Sequence, residues 1–185
     1  MGKRFSEITP ELLHFIEKQP MFFVASAPLS AGGHVNISPK GLDTFLVLGP
    51  QRIAYLDITG SGNETAAHVM ENQRLTVMFC AFSGPPQIVR LYCLASVVVR
   101  VNREWPDLIK QFPNYPGVRQ VIVGNIDFVQ TSCGYGVPEM KFVSERETLT
   151  RWAEAKGEEE LVEYRQRHNR ASLDALDTPA TDATE

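Results

Sequence analysis

QIVRLYCLASVVVRV (87–101) is the longest stretch of this chain in which apolar and polar residues alternate. Val89, Leu91, Cys93, Ala95, Val97, Val99 and Val101 fall on one side; Arg90, Tyr92, Ser96 and Arg100 fall on the other. A period of two puts successive side chains on opposite faces, so the segment reads as a long strand with one face on a core. Shorter strand-like runs flank it: MFFVASA (21–27), HVNIS (34–38), TFLVL (44–48), RIAYLDI (52–58), RLTVMFC (74–80) and VRQVIVGNIDFVQTS (118–132). Prolines, glycines and short polar turns bound them.

Helical signals are few. Thr9-Pro10-Glu11 supplies a capping hydroxyl, a first-turn proline and an early acid, and Leu12, Phe15 and Ile16 then share one face. A helix over about 62–72 would turn Ala66, Val69 and Met70 to the core. A short helix is expected within 102–117. Ser144 and Glu147 have the spacing of a capping box that opens a helix with Leu149, Trp152 and Ala153 inward and Gly157 as its stop. The run EEELVEYRQRHNR (158–170) places acids first and bases last, as a helix dipole favours. The pattern predicts a mainly β (α+β) barrel or sandwich of six to seven strands with peripheral helices. Regular helices do not separate the strands, which argues against a doubly wound sheet.

The chain has 185 residues, enough for one domain with a real core. We expect a domain over 1–171 and a polar, mobile tail over 172–185. All 18 Lys and Arg precede residue 172, and the tail carries four of the 22 acids, so the body is neutral with 22 − 4 = 18 acids. A neutral body gives no electrostatic footprint for nucleic acid. The longest apolar run, LYCLASVVV (91–99), is far short of a membrane span, and MGKRFSEITP lacks the apolar core of a secretory signal. The expectation is a cytoplasmic protein. Met1-Gly2 and Ser6 meet the short acylation pattern, which chance often produces. Cys80, Cys93 and Cys133 have no paired spacing, so neither a disulfide framework nor a metal site is expected.

The turn DITGSGNET (57–65) joins a strand to a helix through Thr59, Gly60, Ser61 and Gly62. One reading is purely local: Ser61 caps the helix and Glu64 reaches back to the Ser61 amide. The other is functional: free amides at the helix N-terminus, brought close by two glycines, receive a phosphate, with the hydroxyls of Thr59, Ser61 and Thr65 nearby. Lys40 and Arg90 are the candidate cations. The P-loop and dinucleotide-binding motifs are absent. The four histidines show no ligand spacing, and His68, one turn after Glu64, is expected in a surface ion pair with it.

VNISPKG (35–41), YLDITGSGNETAAHVMENQR (55–74), MFCAF (78–82), QIVRLY (87–92) and TSCGYGVP (131–138) together resemble the pyridoxamine 5′-phosphate oxidase-like family. The resemblance spans roughly residues 5–170. It implies a split β-barrel acting as a homodimer, with flavin mononucleotide (FMN) between subunits. It places Lys40 near the flavin and implies contacts from Ser38, Asp57, Thr59, Ser61, Gly62, Asn63, Thr65 and Arg90. Two departures stand out. Gly62-Asn63 replaces the family's Arg-Lys pair on the phosphate, so backbone amides must stand in for cations. The substrate motif R-x-H-x-R is missing, its nearest match being Gln166-Arg-His-Asn-Arg170.

The resemblance therefore implies an FMN-dependent oxidoreductase with a small-molecule substrate other than pyridoxamine phosphate. No catalytic side chain stands out; Tyr135 is expected either to line the pocket or to pack on the core. Deazaflavin and haem are the alternative cofactors. The competing classes are a non-catalytic flavin- or haem-binding dimer and a ligand-free scaffold.

Overall fold

The computed structural model describes residues 2–179. Met1 of the acylation pattern and residues 180–185 of the acidic tail lie outside the described residues. Eight strands and four helices follow one another: β1 (Arg4–Phe5), α1 (Pro10–Glu17), β2 (Phe22–Ser26), β3 (Asn36–Lys40), β4 (Phe45–Gly49), β5 (Arg52–Ile58), α2 (Glu64–Asn72), β6 (Arg74–Cys80), β7 (Ile88–Val98), α3 (Trp105–Ile109), β8 (Val118–Ser132) and α4 (Thr148–His168). The strands form one antiparallel sheet in the order β3-β2-β6-β7-β8-β5-β4, with β1 paired to β8. The eighth strand, β1, is two residues long, too short to carry a period.

The sheet rolls up. Phe45 of β4, at one end of the strand order, meets Phe22 of β2 with ring centroids 5.1 Å apart and Phe79 of β6 at 4.9 Å. Side chains thus join the β4 end to β2 and β6 near the other end, the architecture of a split barrel. Val24, Val77, Leu91 and Val129 fill the interior, with Leu12 and Ile16 of α1 packed on it. A second core lies on the other face of β5 and β8, where Leu56, Val121 and Val123 meet Leu108 and Phe112 around α3. Burial on both faces explains why RIAYLDI and VRQVIVG read as nearly continuous apolar runs.

β7 alternates as expected, with Val89, Leu91, Cys93 and Ala95 buried, whereas Val101 lies beyond the strand and is exposed. Thr9 caps α1, accepting from the Leu12 amide at 3.4 Å. Gly157 breaks α4 with φ 69° and ψ 169°, a conformation suited to glycine. Three local expectations fail. Met70 is exposed, α4 opens at Thr148 without the Ser144 cap, and Leu149 stays partly exposed. At the start of the tail, Ala171 bridges Asp177, and Ser172 is buried. Among the described residues, no helix is long and apolar enough to cross a membrane.

Candidate functional site

A cleft of about 720 Å³ opens where β3, the end of β5, the 60–65 turn and the start of β8 converge. Asp57, almost fully buried, is its electrostatic centre. Its Oδ1 accepts from Lys40 Nζ at 2.8 Å, and its Oδ2 accepts from Arg119 Nε at 2.7 Å and Gln120 Nε2 at 2.8 Å. Burial alone would raise the Asp57 pKa. The charges of Arg119 and Lys40, with their hydrogen bonds, outweigh it and hold the carboxyl well below the usual carboxylate range. Two cations and one carboxylate leave the cluster with a net charge of about +1.

The register explains how Arg119 and Gln120, neighbours in one strand, reach the same carboxylate. Asp57 pairs with Gln120, but Ile58 pairs with Val118. Arg119 is the extra residue of a β-bulge, the device that re-aims a side chain across the pleat. Before it, Gly117 adopts φ +74°, and its carbonyl accepts from both the amide and the hydroxyl of Thr59 at 2.8 Å.

The turn itself departs from the local reading. Asn63, not Ser61, occupies the capping position of α2, and no side chain caps the helix. Glu64 stays beside the turn, its Oε1 3.4 Å from where a Gly62 Cβ would lie, but its Oε2 accepts from the Leu173 amide at 3.0 Å. The Gly62 carbonyl accepts from Arg119 Nη2 at 2.8 Å, and the Gly60 carbonyl from Asn169 Nδ2 at 3.0 Å. With these carbonyls engaged, the amides of residues 60–66 have no acceptor among the described residues. Asn63 Oδ1 accepts from Gln120 Nε2 at 2.7 Å, while its Nδ2 is closed to solvent and unpartnered, as is Gln120 Oε1. A buried donor without a partner is costly.

Seven of the nine residues singled out from sequence line this cleft: Ser38, Lys40, Asp57, Ser61, Gly62, Asn63 and Thr65. Thr59 sits just behind it, fully buried, and its hydroxyl accepts from Arg165 Nη1 at 3.2 Å. Arg90 is not brought to this cleft; its Nη1 donates to Ser132 Oγ at 2.7 Å on the neighbouring strand. The cation beneath the turn is Arg119 instead. His68 is fully buried, its Nδ1 3.0 Å from Ser26 Oγ, rather than paired with Glu64 on the surface. Tyr135 is 82% exposed and neither lines the cleft nor packs on the core.

Comparisons with known proteins bear on the family and the fold. A family model described as pyridoxamine 5′-phosphate oxidase matches residues 8–133. The pyridoxamine 5′-phosphate oxidase family protein ustO of Aspergillus flavus is 40% identical over 189 aligned residues, covering 93% of this chain and 76% of that protein. Two solved structures share the fold at low identity. A variant of HupZ from Group A Streptococcus gives a TM-score of 0.55 at 16% identity, covering 68% of this chain and 99% of its own. An FAD binding protein from Mycobacterium smegmatis gives 0.50 at 9% identity, covering 70% and 98%.

Proposed function

The chain belongs to the pyridoxamine 5′-phosphate oxidase family, and from that premise we propose that it is a cytoplasmic, FMN-dependent oxidoreductase acting on a small molecule. The observation that carries this reading is the turn: unused amides over residues 60–66, an unpartnered Asn63 Nδ2 and a +1 cluster beneath them. Free amides and positive charge suit a dianionic phosphate, and Arg119 supplies what the absent Arg-Lys pair would have given. Bound there, FMN supplies hydride or electron transfer. The residues of this chain orient it. Lys40, tethered to Asp57 and 5.7 Å above the Tyr55 ring, is a fixed cation on the cleft wall. Asn36 Nδ2 donates to Thr65 Oγ1 at 3.1 Å and Ser38 Oγ donates to Asn36 Oδ1 at 3.1 Å, leaving a polar wall at β3.

The family's homodimer, with the cofactor between subunits, is part of the proposal. An exposed outer face carrying Leu94, Val35 and the stacked pair Tyr92–Phe128 supports a partner copy. Among the described cleft residues no histidine or cysteine, the commonest haem ligands, is present. The solved FAD binding protein of similar fold supports a flavin.

The test is direct. The purified protein is denatured and the released chromophore identified by mass, which separates FMN, deazaflavin and haem. Titration with FMN and with riboflavin, followed by flavin fluorescence, should show FMN bound at least tenfold tighter, as expected when charge-assisted contacts hold the phosphate. Bleaching by a nicotinamide donor and recovery in air separates an enzyme from a storage protein. Equal affinity for FMN and riboflavin refutes the phosphate site.

A further inference from the structure

Asn169 lies well beyond the segment that the family model matches, yet it is buried behind the turn of this site. Its Oδ1 accepts from Arg119 Nη1 at 2.9 Å, and its Nδ2 donates to the Gly60 carbonyl at 3.0 Å. One amide side chain therefore joins the cluster's cation to the turn. Arg119 in its turn holds the Gly62 carbonyl, and the Leu173 amide holds Glu64. Three contacts, two of them from the C-terminal segment, fix a turn whose two glycines would otherwise leave its backbone unusually free.

The segment behind Asn169 is built to hold it. The Asn169 amide donates to the Arg165 carbonyl at 2.8 Å, and its own carbonyl accepts from Thr178 Oγ1. Ser172 N donates to Leu176 O at 2.8 Å, closing a small loop over 171–177. The loop is latched to the chain ahead of β3, where Asp174 accepts from the His34 amide at 2.7 Å and contacts His34 Nδ1 at 2.6 Å.

We propose that Asn169 is a positioning residue for phosphate recognition, and that the 169–178 segment is the clamp that holds the 60–64 turn with its carbonyls inward and its amides toward the cleft. The inference rests on the phosphate reading above. Pinning the carbonyls of Gly60 and Gly62 sets which way each peptide plane faces, because a peptide is rigid and its N–H points opposite its C=O. The two ends of the Asn169 amide are not interchangeable: the oxygen must face the guanidinium and the nitrogen must face the carbonyl. A carboxylate in its place keeps the first contact and turns an acceptor against the Gly60 oxygen.

The experiment measures FMN and riboflavin affinities of the full chain, wild type against Asn169→Ala and Asn169→Asp, by flavin fluorescence, together with thermal unfolding. Both variants are expected to lose about tenfold in FMN affinity, roughly one charge-assisted hydrogen bond's effect, with riboflavin affinity unchanged. A merely structural role would lower both affinities in parallel, and that result overturns the proposal. So does an FMN-to-riboflavin ratio that stays within twofold of wild type. If Asn169→Ala does not fold, Asp174→Ala carries the test from outside the cleft, with a smaller loss of the same ratio expected and no change overturning the clamp. A wild-type protein that does not prefer FMN refutes the phosphate site itself, and the clamp falls with it. A wild-type preference that Asn169→Ala leaves intact refutes the clamp alone.

Discussion

Replacing Arg119 by Met tests the electrostatic core of the site. The side chains of Arg119 and Asp57 are 5% and 4% exposed, so water does not screen their pair. Removing one member of a buried pair costs about 3–5 kcal/mol, because the remaining charge stays buried. Lys40 and Gln120 still face Asp57, which puts the expected loss near the lower end, at about 3 kcal/mol. In a chain of this size that corresponds to roughly 6–12 °C in melting temperature. Urea unfolding of wild type, Arg119→Met, Asp57→Asn and the double variant forms a cycle. The double variant should be more stable than the sum of the single losses predicts, by about 2 kcal/mol, since the neutral pair no longer strands a charge. The same substitution lowers the cluster from about +1 to neutral and should weaken FMN binding at least tenfold while leaving riboflavin unaffected. A single-variant cost below about 1 kcal/mol, or a cycle additive within about 0.5 kcal/mol, would refute the account of a desolvated pair.

The pH dependence follows from the same carboxylate. Its folded pKa is depressed, so its contribution is fully present above the unfolded value of about 3.9 and is lost as pH falls below it. The stability gap between wild type and Asp57→Asn should hold from pH 7 to about 5 and narrow below about pH 4 in acid-denaturation curves; a gap that does not narrow contradicts the assignment. Gly62→Asp adds a Cβ in ordinary contact with Glu64, 3.4 Å from its Oε1, and adds negative charge where the phosphate is proposed. FMN affinity should fall by more than tenfold with a melting shift of only a few degrees, and equal losses in both would instead mark a damaged turn. Among the three thiols, Cys133 is exposed while burial pushes Cys93 up to about 12 and raises Cys80. Ellman's reagent at pH 8 should therefore label one thiol in the native protein and three in denaturant, and rapid labelling of a second would show that the barrel opens.

The barrel was legible in sequence wherever a period or a boundary residue expressed it. RLTVMFC and VRQVIVGNIDFVQTS end where β6 and β8 end, because turns and polar flanks stop the pairing there. The site was half legible. Lys40, Asp57 and the glycine turn announce themselves as polar or flexible residues at strand ends, and the structure brings them together. Ser61-x-x-Glu64 misled because a capping box and a turn whose acid serves another segment share one spelling. The competing donor, the Leu173 amide, is more than a hundred residues away. Arg90 misled for a related reason: a basic residue on a polar strand face has a partner across the ladder, Ser132, that local sequence does not specify.

Arg119 did leave a signal. Arg119-Gln120 interrupts a run that is otherwise apolar on both faces, and polar residues inside a doubly buried strand must find partners. The partner in question had to be the acid of the adjacent strand, Asp57. What no local pattern encodes is the bulge that lets both residues point at it, since the extra residue is defined only by pairing. The same holds for Asn169. Its amide is read as a polar helix end until the chain folds back and places it between a guanidinium and a glycine carbonyl. The cation beside Gly62 is thus supplied by tertiary structure, from a strand start 57 residues away that also bonds Asn169 of the C-terminal segment.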